Sequence, residues 1–142
     1  MNISMDIARH VLASQPFSTL LGTRVTGFAP GHSELRIPIR DELKQQNGFV
    51  HGGVLSYAAD NGLTFAGGSV LGSAVVTSEF KINYVRPALG DELVARASVV
   101  HAGKSQAVCR CEVFCVSAGS ETLCAIAQGT IVSLPRDSRD DL

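Results

Sequence analysis

Apolar and polar residues alternate along this chain with two different periods. Met5 to Leu12 carries apolar residues three and four positions apart, which predicts a short N-terminal helix within residues 1–15. Leu20 to Ala29 and Ser33 to Ile39 lie on either side of Pro30-Gly31-His32, and the second of these runs alternates with a period of two. The two runs therefore predict a β-hairpin.

The second half of the chain repeats the pattern of a strand followed by a turn. Four runs are rich in β-branched, aromatic or cysteine residues and are separated by Gly, Pro, Ser and Asp, which predicts four strands. They are Ala74 to Val85, Glu92 to His101, Gln106 to Val116 and Thr122 to Leu134. The charged residues 135–142 then predict a flexible tail.

Between the hairpin and these strands lies the most apolar part of the sequence. A polar loop from Arg40 to Val50 leads into Val54 to Ala66, which predicts a helix that stops at Gly67-Gly68. Apolar or small residues occupy nearly every face of this helix, so we expect other structure to enclose it. It contains one carboxylate, Asp60, and no basic residue stands three or four positions away to pair with it.

This order of elements predicts an α+β fold. An antiparallel sheet of about six strands would wrap around one long central helix, with a short N-terminal helix added. The 142 residues suit a single domain spanning 1–142. Such a sheet leaves its edge strands unpaired, so we expect a homodimer that pairs an edge with a second copy, or a tetramer built from that dimer.

Composition and charge exclude several classes of partner. The 12 Lys and Arg residues balance 13 Asp and Glu residues and form no basic run, so no nucleic-acid partner is expected. The predicted helix is roughly 20 Å long, which is too short to cross a membrane. The N-terminus lacks the apolar core of a secretion signal, so we expect a cytoplasmic protein.

The four cysteines are interpreted as small apolar residues. Cys109, Cys111 and Cys115 share one parity within a predicted strand, and Cys124 falls in the next strand. A zinc site is the alternative, but zinc ligands normally show a two-residue gap between cysteines with further Cys or His nearby. We therefore expect no metal and no other cofactor.

Several short motifs together resemble one known family. They are Asn47-Gly48, His51-Gly52-Gly53, Asp60-Asn61 and the run Thr77 to Ala88. In this combination the chain, from about Leu20 to Val132, resembles the hotdog-fold acyl-CoA thioesterases of the PaaI-like, phenylacetate-pathway type. The resemblance implies a hotdog fold, hydrolysis of an acyl-CoA, and a site in which Asp60 activates water or attacks the carbonyl itself.

The residues also support this chemistry independently of the family. Thioester cleavage needs donors for the negative charge that develops on the carbonyl oxygen, and the free N–H groups at a helix N-terminus can supply them. Gly52 and Gly53 stand there, although glycines also serve simply to ease a tight turn. Asp60 on an apolar helix favours the catalytic interpretation, because burying an unpaired carboxylate for structure alone is costly.

The spacing of Gly52 and Asp60 constrains the assembly. Eight residues along a helix separate their Cα atoms by about 12 Å, too far for both to act on one thioester. We therefore expect each site to combine Gly52 of one chain with Asp60 of another, giving two sites in a dimer with antiparallel helices. The resemblance implies a similar arrangement.

Three further residues are candidates for the catalytic site. Asn47 would donate to the substrate carbonyl or orient water, or it belongs to an ordinary Asn-Gly turn. His51 would contact the thioester or fix the loop by bonding to backbone, and positioning is favoured. Thr77 matches the polar residue that the family places near the Asp. Strict alternation, however, puts it with Glu79, Lys81 and Asn83, so a β-bulge would be needed.

The remaining candidates concern the substrate. Phe49 and Tyr57 suggest an acyl pocket for a neutral medium-chain or aromatic group, while Gly53 and Asn61 border the catalytic pair. Arg86, His101 and Lys104 flank turns where they would contact the phosphates of coenzyme A, or they are ordinary solvated charges. Two other functions remain open: a hotdog dehydratase, although no His-Phe-Pro run precedes this helix, and a non-catalytic acyl-CoA sensor.

Overall fold

The structure is a computed structural model that describes residues 4–135. Within this range the chain forms helices, strands and one short 3-10 helix over Asp41–Leu43. The α-helices are α1 (Met5–Ala13), α2 (Pro16–Leu21) and α3 (Gly52–Leu71). The strands are β1 (Arg24–Ala29), β2 (His32–Pro38), β3 (Val75–Tyr84), β4 (Glu92–Ala102), β5 (Gln106–Ser117) and β6 (Ser120–Ser133). Most of the tail predicted for residues 135–142 lies outside the described residues.

The six strands form one antiparallel sheet in the order β1-β2-β4-β5-β6-β3. The long helix α3 packs across one face of this sheet and contacts all six strands. The prediction of a six-stranded antiparallel sheet around one central helix, with a short helix at the N-terminus, is therefore confirmed. The order leaves β1 at one edge and β3 at the other.

Helix α3 is enclosed because its sheet-facing side consists of small and apolar residues. Ala59, Leu63 and Ala66 have no exposed surface. A Cβ atom placed on Gly62 would lie 3.2 Å from the sulfur of Cys111, and one on Gly67 would lie 2.7 Å from the Cβ of Ile131. Gly67 lets the helix backbone approach the sheet more closely than any side chain would permit, and Gly62 allows a close approach that a side chain would loosen. Within the described residues no helix is long and apolar enough to span a membrane.

The helix does not stop at Gly67-Gly68, so that prediction is wrong. It continues to Leu71, and Gly72, with φ of 103°, follows its last turn. Glycine pairs often end helices that face solvent, but Gly67 is required inside this one because Ile131 occupies the space of its missing side chain. Ser69 then joins the helix to the hairpin turn, since its hydroxyl accepts a 2.7 Å hydrogen bond from the N–H of Gly31.

The strand predicted from Leu20 is also partly wrong. Residues Pro16–Leu21 form α2, which ends at Gly22 with φ of 74°, and the strand begins only at Arg24. Proline is common at the first position of a helix, because its missing N–H would have no partner there in any case. Pro16 therefore starts a second helix immediately after the end of α1.

The four cysteines are buried, as the strand parity predicted, and each is a free thiol. Burial raises the pKa of the Cys109 thiol to about 11, and burial is also the largest cause that raises the pKa values of Cys111 and Cys124 to about 12. These thiols therefore stay protonated at neutral pH. In the part of the chain described here, no three His, Cys, Asp or Glu side chains are grouped closely enough to hold a metal ion.

The contact between Gly67 and Ile131 predicts a stability difference between two neighbouring glycines. Gly67→Ala should lower the free energy of unfolding by about 1–3 kcal/mol, because its Cβ would overlap the branched carbon of Ile131. Gly68→Ala is the matched control. Its Cβ would lie 3.6 Å from Val75, an ordinary contact, so the better helix propensity of alanine should raise stability by up to about 1 kcal/mol.

Urea unfolding of both variants and the parent measures this difference. Equal stability of the two variants would mean that the helix does not depend on close approach at Gly67.

Candidate functional site

His51 caps the N-terminus of α3. Its Nδ1 accepts a 2.8 Å hydrogen bond from the N–H of Gly53, and its carbonyl accepts one of 2.9 Å from the N–H of Val54. An accepting Nδ1 requires the neutral ring with its proton on Nε2. His51 therefore holds the start of the helix, and the N–H of Gly53 is engaged by this cap.

The N–H of Gly52 is the donor that remains at this helix end. Among residues 4–135 it makes no hydrogen bond. The residue is packed against Tyr84: the phenol donates to the carbonyl of Gly52 at 3.0 Å, and a Cβ on Gly52 would lie 3.3 Å from the Tyr84 ring. Tyr84 was not among the site residues predicted from the sequence, because its position at a strand end gives no sign that it reaches the helix.

A surface groove of about 350 Å³ opens beside Gly52. It brings together three residues singled out from the sequence, Phe49, Gly52 and Arg86, with Leu55 and Tyr84 between them. Phe49 is partly buried, whereas Arg86 is exposed at the rim. The groove is therefore lined by the backbone of Gly52, by apolar side chains such as Phe49, and by the cationic Arg86.

Asn47 stands in a tight turn next to this groove. The N–H of Gly48 donates to the carbonyl of Gln45 at 3.0 Å, and the N–H of Asn47 donates to the side-chain oxygen of Gln45. The Asn47 side chain is exposed, and within the described residues its amide makes no hydrogen bond. The turn geometry is in place, and a substrate role for this amide stays a prediction.

Asp60 lies half-buried in the middle of α3, where two threonines surround it. Its Oδ1 accepts a 2.6 Å hydrogen bond from the Thr77 hydroxyl. The Thr64 hydroxyl lies 2.9 Å from the Asp60 carbonyl and 3.0 Å from the Thr77 oxygen. Because Thr77 donates its hydroxyl proton to Asp60, it can only accept from Thr64. The single hydroxyl proton of Thr64 therefore has two acceptors within reach, the Asp60 carbonyl and the Thr77 oxygen. Within residues 4–135 the carboxylate forms no ion pair.

A β-bulge places Thr77 beside Asp60. The register between β3 and β6 shifts between Thr77 and Glu79, so Ser78 is an extra residue in β3. Strict alternation would place Thr77 on the same exposed face as Glu79, and for Thr77 this prediction is wrong. The bulge turns Thr77 inward while Glu79 remains exposed.

Tyr57 and Asn61 belong to a different cluster. The Tyr57 hydroxyl lies 2.6 Å from the Ser18 hydroxyl and 2.8 Å from that of Thr23. The Asn61 amide donates to the Gln15 side chain, to Ser18 and to Tyr57 at 3.2–3.3 Å. These contacts attach α2 to the outer side of α3. The structure therefore does not bring Tyr57 and Asn61 into contact with the Asp60 carboxylate, and their binding role stays a prediction.

The two halves of the candidate site are far apart in one chain. Gly52 contacts Tyr84 and Asp60 contacts Thr77, so the halves stand at opposite ends of β3. The strand between them covers roughly 20 Å, and eight residues of helix cover about 12 Å. One thioester carbonyl cannot reach both within a single chain.

The three proposed phosphate contacts are also divided. The backbone N–H of Arg86 donates to the carbonyl of Cys124, near the start of β6, at 3.3 Å. Ser105 follows Lys104 in the β4–β5 turn, and its carbonyl accepts a hydrogen bond from the N–H of Ser133, at the end of β6. From Cys124 to Ser133 the strand spans roughly 30 Å. Arg86 therefore lies at one end of the sheet, and His101 and Lys104 lie at the other.

Comparisons with known proteins agree with this fold. The family model described as the thioesterase superfamily matches residues 47–121. A thioesterase family protein from Silicibacter pomeroyi is 34% identical, with a TM-score of 0.85 over 89% of this chain and 94% of that one. A mutant of the phenylacetic acid degradation protein PaaI from Thermus thermophilus is 32% identical, with a TM-score of 0.73 over 84% and 100% of the two chains. The expected hotdog fold and PaaI-like resemblance are confirmed.

The cap at the start of α3 predicts how substitutions of His51 affect stability. His51→Ala removes the acceptor for the Gly53 N–H and should lower the free energy of unfolding by about 1 kcal/mol. His51→Asn keeps a side-chain oxygen at the cap position and should retain most of that stability. Denaturant unfolding at pH 8 measures both. If alanine proves as stable as the parent, the cap contributes nothing.

Proposed function

Because the chain belongs to the thioesterase superfamily, its reaction class is thioester hydrolysis, and we propose that its substrate is an acyl-CoA. The products would be a free acid and coenzyme A. The observation that carries this proposal is Asp60, a half-buried carboxylate whose Oδ1 is held by the Thr77 hydroxyl at 2.6 Å. No cation neutralises it within the described residues, so it is available to act as a base or nucleophile.

In the proposed reaction the N–H of Gly52 donates to the thioester carbonyl oxygen and stabilises the negative charge that develops there. The positive end of the α3 dipole adds to this stabilisation. Asp60 either takes a proton from the attacking water or attacks the carbonyl carbon directly, and water then cleaves the resulting anhydride. In both routes the coenzyme A thiolate leaves and is protonated. His51, whose Nδ1 is occupied by the cap, acts by positioning the loop.

We propose that two chains share each site. The outer edge of β3 is unpaired in the described chain, and Val76 and Tyr84 of this strand are exposed, as is Val85 directly after it. If two β3 strands pair antiparallel with the two-fold axis between Phe80 and Lys81, Tyr84 of one chain comes opposite Thr77 of its partner. The partner's Gly52 then approaches Asp60. A homodimer would contain two such sites, and a tetramer would form from two dimers.

The groove beside Gly52 suggests where the coenzyme A arm leaves the site. Phe49 and Leu55 offer apolar contacts to the pantetheine chain, and Arg86 at the rim suits a phosphate. His101 and Lys104 lie too far from Arg86 to bind the same nucleotide within one chain. In the proposed assembly they contribute only if another protomer brings that end of its sheet to the groove.

The proposed role of Asp60 predicts that Asp60→Asn lowers kcat for acyl-CoA hydrolysis by about 10² or more. Asparagine keeps the volume and still accepts a hydrogen bond from Thr77, so the fold should persist. The measurement is thiol release from a panel of acyl-CoAs, monitored with a thiol-trapping reagent.

Asp41→Asn is the matched control, because the Asp41 side chain is 94% exposed on the 3-10 helix. It should leave turnover unchanged. Parental turnover by a folded Asp60→Asn variant would remove Asp60 from the mechanism. Binding of acyl-CoA by the parent without any thiol release would favour the non-catalytic sensor instead.

A further inference from the structure

A small cavity lies between the N-terminal helix and the middle of α3. It has a volume of about 90 Å³. Its walls come from α1, the α1–α2 junction, β1, α3 and the start of β3, and they include no charged side chain. They are Ala8, Val11, Gln15, Phe28, Thr64, Phe65, Gly68, Ser73 and Val75. A neutral, mainly apolar group suits such walls.

The cavity adjoins the Asp60 end of the candidate site. Thr64 lines it, and the hydroxyl of Thr64 lies 3.0 Å from that of Thr77, which donates to Asp60. Val75 also lines it and precedes Thr77 by two residues on the inward face of β3. An acyl chain whose carbonyl carbon is near the Asp60 carboxylate therefore has this cavity directly beside it.

The walls are held in place by packing and hydrogen bonds. Phe28 and Phe65 meet edge to face with ring centroids 6.3 Å apart. Gln15 is fixed because its side-chain oxygen accepts from Ser18 at 2.6 Å and from Asn61 at 3.2 Å. Asn61, the residue after Asp60, thus positions one wall of the cavity. A cavity with such fixed walls selects by size rather than adapting to any chain.

We propose that this cavity is the acyl pocket and that helix α1 limits it to short, unbranched or singly branched acyl groups of about four carbons. This inference rests on the proposed acyl-CoA hydrolysis. A volume of about 90 Å³ equals roughly three water-sized groups at ~30 Å³ each, which accommodates the carbons beyond the carbonyl of a butanoyl group. A benzene ring occupies cavities of about 150 Å³, so an aromatic acyl group does not fit. The proposed acyl group is shorter than the medium-chain or aromatic group expected from the sequence.

Two substitutions change the pocket in opposite directions. Val11→Ala removes two methyl groups from α1 and deepens the pocket. The ratio of kcat/KM for hexanoyl-CoA to that for butanoyl-CoA should rise about tenfold. Gly68→Ala adds a methyl group to the wall, at an ordinary 3.6 Å from Val75, so the fold accepts it. The ratio for butanoyl-CoA to acetyl-CoA should fall about tenfold.

Ile7→Ala is the matched control on the same helix, because Ile7 is 48% exposed and does not line the cavity. Its ratios should equal those of the parent. Thiol release from acetyl-, butanoyl-, hexanoyl- and phenylacetyl-CoA provides all the ratios, and each variant's unfolding curve shows that it is folded.

The outcomes separate this inference from the proposed function. The pocket is supported if the parent prefers butanoyl-CoA, Val11→Ala raises the hexanoyl-to-butanoyl ratio and Gly68→Ala lowers the butanoyl-to-acetyl ratio. Unchanged ratios in folded, active variants, or a parent that prefers phenylacetyl-CoA, would overturn the pocket while leaving acyl-CoA hydrolysis in place. If the parent hydrolyses none of the four substrates or longer acyl-CoAs, the proposed function fails, and the pocket assignment fails with it.

Discussion

Helix α3 packs very closely against the sheet, and the positions of the site residues follow from this packing. Gly67 meets Ile131 at a distance that leaves no room for a side chain, and at Gly62 the sulfur of Cys111 lies so close that a side chain would fit only if Cys111 shifted. Because the helix lies this close, Asp60 comes within hydrogen-bonding reach of Thr77 on β3. The same packing leaves the carboxylate half-buried, and within residues 4–135 its hydrogen-bond partner is the Thr77 hydroxyl, which suits a group that must remain reactive.

The N-terminus of α3 serves a different purpose from its middle. There the His51 cap engages the N–H of Gly53 and leaves the N–H of Gly52 without an acceptor in the described chain. Tyr84 packs against Gly52 and determines which side of the helix end is open. Each half of the site therefore combines a residue of α3 with a residue of β3: Gly52 with Tyr84, and Asp60 with Thr77. The two halves lie at opposite ends of β3. In the proposed dimer one strand pairing therefore assembles both sites.

Much of the fold was predictable because the sequence signals were periodic. The strands from Val75 onward, the enclosed helix and the buried cysteines followed from parity and apolar content. The helix end at Gly67-Gly68 was not predictable, because only the Ile131 contact explains why glycine is needed inside the helix. The inward face of Thr77 depended on a bulge, which alternation cannot locate, and Tyr84 and Gln15 reach the candidate site and its neighbouring cavity only through tertiary packing.

In the proposed dimer each site uses Gly52 of one chain and Asp60 of the other, and subunit complementation is the decisive experiment. Gly52→Val blocks the approach to the helix N-terminus, and Asp60→Asn removes the carboxylate, so each variant alone should be inactive. After exchange, verified by mass spectrometry of differently tagged chains, about half of the dimers are mixed and each has one intact site of two. Shared sites should therefore restore up to about a quarter of parental activity. Mixed dimers that form and remain inactive would contradict the shared site.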